Sequence, residues 1–268
     1  MTDLQKLIKY VAIGLAIFLI VSIFMGIFKV FTLVDILSSG FKEGTSSMQL
    51  YSISESISEL EINVGAAELT ISTGESFSLS SNLQDLEVEQ ANGCLVIKET
   101  RQFGKNYNGA KIALTIPSGH IFERASVFSG AGKLEISELS TQNLALNLGA
   151  GQTIIHNLYA SQNAMISAGA GELIISGGEL RDLDLDLGVG KVTLKSRLSG
   201  ESEINQGVGQ VELELIGSAK DYTISIEKGV GSATVGGQSM KNNAICGSGE
   251  SEVEISGGVG SISVLFTE

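Results

Sequence analysis

Three aspartates alternate with leucines at Asp182, Asp184 and Asp186, and Glu201 and Glu203 occupy the equivalent places of the next, similar segment nineteen residues on. Stacked as neighbouring strands, these five carboxylates would stand within about 5 Å of one another, where like charges repel unless a cation or water intervenes. A hard cation such as Ca²⁺, which takes several carboxylate oxygens, is the metal such a face would hold. The plainer reading is a solvated face that keeps the sheet soluble and stops sheets from associating. The glycine-and-aspartate nonapeptide of calcium β-rolls is absent, so no cofactor is expected and the cation face is the alternative.

A second group lies in the stretch 101–108, where Arg101, Phe103, Lys105 and Tyr107 break an otherwise regular, acidic chain. Loops on rigid scaffolds often carry contacts, which makes these four the candidate partner-binding residues. Other chemistry is thin. His120 and His156 have no Ser, Cys or paired carboxylate at a catalytic spacing and read as surface or turn histidines. Cys94 and Cys246 lie far apart with no C-x-x-C spacing, so neither a zinc site nor a bridge is expected, and Cys246 reads as a small interior residue. No catalytic residue is assigned. A net charge of −13 excludes nucleic acid as a partner, since phosphate neutralisation needs clustered Lys and Arg.

The elements that must position these residues are legible as a repeat. A Gly-small-Gly triplet recurs at Gly130-Ala131-Gly132, Gly149-Ala150-Gly151, Gly169-Ala170-Gly171, Gly188-Val189-Gly190, Gly207-Val208-Gly209, Gly229-Val230-Gly231 and Gly258-Val259-Gly260, with first intervals of 19, 20, 19, 19 and 22 residues. Alternate residues before a triplet are apolar (Leu183, Leu185, Leu187), and so are the fourth and sixth counted from its first glycine (Val192, Leu194). Each pattern is a half-buried strand. Leu187 to Val192 is an odd step, which in one straight strand would put the two on opposite faces, so the triplet must turn a corner.

Such a unit cannot bury its apolar stripe alone and must stack on its neighbours. The expected fold is therefore all-β, a β-solenoid of ~19–20-residue two-strand coils, about seven of them from residue 125 onward. The motif appears once more in degenerate form at Gly65-Ala66-Ala67, and further strands read at Leu95 to Ile97 and Ile112 to Ile116. The interval from Gly229 to Gly258 is irregular, with Gly247-Ser248-Gly249 as either a displaced triplet or part of a loop. The final run ISVLF, Ile262 to Phe266, is expected at the end of the stack, where it folds over as a cap or joins a second molecule.

Ahead of the repeat, Tyr10 to Phe28 is an apolar run with no charge and no proline. About 20 residues at ~1.5 Å rise cover the ~30 Å hydrocarbon core, so the run reads as a transmembrane helix over 10–31. A removable signal peptide competes, but the run is longer than an h-region and KVFTLVDIL after it lacks a small-x-small cleavage site. The expected organisation is a tail at 1–9, the helix at 10–31, a polar linker at 32–49 and the β domain at 50–268. Lys6 and Lys9 against Lys29 give a slight bias to a cytoplasmic N-terminus, which places the C-terminal domain outside the cell membrane.

The run Ile112 to Gly119 (I-x-L-x-I-P-S-G) followed by Gly-x-Gly units, with LALNLGAGQTII and LDLDLGVGKVTL the clearest, resembles the bacterial putative-adhesin family. Its members carry a domain of unknown function built from short β-strand repeats, often behind an N-terminal membrane segment. The resemblance spans about 52–268 and implies an envelope-located β-repeat domain; it brings no catalytic or binding residues. The expectation is a non-enzymatic bacterial surface-interaction or structural module, with a membrane-tethered sensor or accessory in envelope-stress signalling as the alternative. A polysaccharide-cleaving enzyme is the third reading, and with 6% aromatics no cleft of paired acids and aromatic platforms is evident.

Overall fold

The computed structural model describes residues 42–54, 56–102 and 105–267. The apolar run 10–28 and Phe103 lie outside them, and among the described residues no helix is long and apolar enough to cross a membrane. The chain divides into two units. In the first, the described residues form one short parallel pair, Lys42–Glu43 with Lys105–Asn106. The second holds Gly44–Gln102 and Tyr107–Glu268 and is a ladder of parallel rungs.

The repeat sets that ladder's register. Ala164, Ile166 and Ala168 lie beside Leu183, Leu185 and Leu187, and Leu173 and Ile175 beside Val192 and Leu194, nineteen residues apart. The inward columns are mostly apolar, with Ser202 and Gln206 as buried polar members, and the best-filled positions, among them Ile166, Leu185, Val192 and Leu194, are fully buried. The corner expected from the odd step is present. Gly190 sits at φ +148, and a Cβ there would fall on the carbonyl oxygen of Gly171 in the rung below. Only glycine allows the backbones to approach this closely at that φ.

The degenerate triplet belongs to the same stack. Leu60 and Ile62 lie beside Ala125 and Val127, Leu69 beside Leu134, and the Ala131 amide donates to the Gly65 carbonyl at 2.7 Å. One rung further, Cys94–Glu99 lies beside Glu59–Val64 and Lys111–Pro117 beside Glu68–Gly74, so these strands are two sides of one coil. Antiparallel strands Leu86–Ala91 and Ser78–Leu83 then cover that coil.

Three expectations are corrected. The coil has a third, short side: Gly178–Arg181 pairs in parallel with 158–160 and 197–199. That side carries a single buried leucine in each case (Leu158, Leu180, Leu198), too few for alternation to be read. The last rungs are also out of chain order. Ser251–Thr267 inserts between Glu201–Ile216 and Tyr222–Val235, paired in parallel with both. Ile262 to Phe266 is thus an interior strand, not a terminal edge. Finally, Gly247-Ser248-Gly249 is no displaced triplet, because Ala244–Gly247 is an antiparallel strand on the outer side of 223–226.

Candidate functional site

Alternation turns Asp182, Asp184 and Asp186 outward on one rung, all exposed, while Leu183, Leu185 and Leu187 fill the core. Asp184 faces Glu203 across the ladder, as the nineteen-residue interval requires. The irregular rung order then adds two carboxylates that the repeat concealed, since Glu201 faces Glu252 and Glu203 faces Glu254. Seven carboxylates therefore stand on three consecutive rungs of one face.

The fold relieves part of the repulsion. The Asn205 amide donates to Asp186 Oδ1 at 3.2 Å and Glu203 Oε1 at 2.8 Å, and the Glu201 amide donates to Asp182 Oδ1 at 3.0 Å. Among the described residues Asp184 has no such donor; partial burial, with the charges of Asp186 and Glu203, holds its carboxyl above the usual range. The acids stand on parallel columns and do not converge: among the described residues no three His, Cys, Asp or Glu side chains are grouped to hold a metal ion.

Of the second candidate group, Arg101 and Tyr107 are engaged in ending the ladder. Without a further triplet, the amides of Gly65 and Ala66 would face no carbonyl from a rung below. The Glu99 Oε2 accepts both, at 2.7 and 3.0 Å, with its side chain 1% exposed. Arg101 pairs with the other Glu99 oxygen at 2.9 Å, and its guanidinium lies 5.0 Å above the Tyr107 ring. The Tyr107 hydroxyl donates to Asp85 Oδ2 at 2.9 Å and accepts from the Gln102 amide at 2.7 Å. Lys105 lies in the short pair of the first unit. Glu99 and Asp85, which complete this network, carried no sequence signal beyond their charge.

Of the remaining titratable groups, Cys246 is placed differently from expectation. His120 is half-buried between the rings of Phe77 and Phe122, with centroids 5.0 and 4.5 Å away, and its Nε2 is buried without a partner. Burial lowers its pKa. It is the turn histidine of the two alternatives, its amide donating to the Pro117 carbonyl, and the turn folds its ring back onto the aromatic core. His156 is exposed. Cys246 lies exposed on the outermost strand and is not interior; Cys94 is half-buried, and both are free thiols.

The repeat, its glycine corners and the strand pair before it match the family model Toastrack DUF4097 over residues 57–256. The chain belongs to the Toastrack DUF4097 family. No protein of curated function matches it. The Toastrack chain is similar in structure to a crystal structure titled a putative cell adhesion protein from Clostridium sporogenes, at 14% identity and TM-score 0.38, covering 82% of this chain and 99% of that one. It is also similar to a putative adhesin from Bacteroides fragilis, at 16% identity, TM-score 0.37 and coverage of 81% and 96%. A third, a putative lipid binding protein from Parabacteroides distasonis, has 15% identity, TM-score 0.39 and coverage of 84% and 98%.

Proposed function

We propose that this Toastrack chain is a non-enzymatic surface-interaction module, held at the bacterial cell membrane by 10–31 with its β domain on the outer side. The observation that carries the reading is the ladder itself: exposed side chains stand in register from rung to rung on a largely apolar, buried spine. Such a scaffold fixes the spacing of surface groups at about 4.8 Å without lids, hinges or a converging catalytic set. Anchoring is supported by the charge-free run from Tyr10 to Phe28.

The test is capture. The full chain, immobilised through its N-terminus, should retain a component of bacterial envelope extracts or whole cells that an unrelated β-protein does not. Retention of signalling membrane proteins alone would favour the sensor reading, and no retention from any fraction would end the surface reading. In membranes from the producing cell, the chain should resist carbonate extraction, and added protease should reach the β domain of intact cells.

A further inference from the structure

The short third side of the coil carries an open groove of about 490 Å³ that none of the groups above explains. This lies in the range of roughly 300–1,000 Å³ that small-ligand clefts occupy. Tyr159, 40% exposed, and Ile121, 63% exposed, are among the apolar groups that line it. The register puts Glu179 directly beside Tyr159 on the next rung, and Arg181 beside Ser199. Ser140 and Ser161 complete the polar rim.

These rim groups are not used by the fold. Among the described residues, the Tyr159 hydroxyl, the Glu179 carboxylate and the hydroxyls of Ser140, Ser161 and Ser199 make no hydrogen bond or ion pair. Arg181 has only a loose contact, Nε to Asp182 Oδ2 at 3.6 Å. Thr141 differs, since its hydroxyl donates to the Asn143 carbonyl.

The geometry points to a binding site for a neutral pyranose glycan in this groove. An acyl chain would leave Glu179, Arg181 and three hydroxyls without partners on contact, which costs free energy. A polyanion would meet one arginine against Glu179 and a net charge of −13. A pyranose has one apolar face of axial C–H groups for the Tyr159 ring and a rim of hydroxyls that both donate and accept. The carboxylate, guanidinium and serine hydroxyls supply the complementary set. The inference deepens the surface-interaction reading and rests on it.

Saturation-transfer NMR on the full chain with cellotetraose and with chitotetraose tests it, the second sugar adding an acetamido methyl that Ile121 could contact. The expected result is transfer to the axial ring protons of one or both sugars. Tyr159→Ala should weaken binding roughly tenfold or more, and Glu179→Gln should weaken it with Tyr159 intact. Phe128→Ala, at an exposed aromatic outside the groove, should leave binding unchanged. No transfer from either sugar, or undiminished binding in both groove variants, overturns the glycan site. Capture of an envelope protein that chitotetraose does not displace would leave the surface reading standing without it.

Discussion

At the scale of single residues, two groups set opposite pH dependences. His120 is held neutral between Phe77 and Phe122, with its folded pKa lowered from 6.5 by burial. As pH falls below 6.5, the unfolded chain takes up the proton first, so stability present at neutral pH is lost as pH drops toward the folded value. Replacing His120 with Phe should flatten this acid limb of a thermal-denaturation profile. Asp184 works the other way. Its pKa is raised above 3.8, so the folded state binds the proton more readily and repulsion is relieved as pH falls through the window just above 3.8. Asp184→Asn should raise the melting temperature at pH 7 and lose that advantage near pH 4; equal shifts at both would show that the charge is not the cause.

At the scale of elements, the corner decides how the ladder propagates and how it stops. Glycine triplets let each rung lie on the last, and the Glu99 carboxylate ends the series by taking the amides of Gly65 and Ala66. Glu99→Ala would leave the amides of Gly65 and Ala66 and the Arg101 guanidinium without their partner. A loss of about 1–3 kcal/mol is expected in urea unfolding, because two hydrogen bonds to a charged acceptor are lost. Glu99→Gln, which retains an acceptor oxygen, should lose less. The triplets were legible because glycine at a fixed interval has few other causes. The cap was not, because a glutamate beside a loop looks the same whether it faces solvent or accepts two amides.

At the scale of the whole molecule, the chain order and the spatial order of rungs differ at both ends: the rung 59–74 lies between 94–117 and 124–136, and a second departure follows Ile216. Because Ser251–Thr267 lies between two earlier rungs, removing 251–268 takes out an interior rung, not the last one. Hydrogen exchange on that truncated chain should show protection lost throughout 222–235 and retained in 163–199. Retained protection in 222–235 would mean that this rung can pair directly with 201–216. This second departure left one trace in the sequence, the long interval from Gly229 to Gly258, which marks an excursion but not its direction.

The all-β class, the nineteen-residue register, the inward leucine and isoleucine columns and the glycine corners followed from sequence alone, since local alternation and period repeat often enough to be read without neighbours. The third side of the coil, the interior place of the C-terminal strand, the Glu99 cap, the aromatic surroundings of His120 and the groove at Tyr159 were decided only in three dimensions. Each depends on which residues meet across a rung or at its end. One buried leucine, one carboxylate or one tyrosine makes no periodic signal, and its role exists only once the backbone has brought its partners within contact distance.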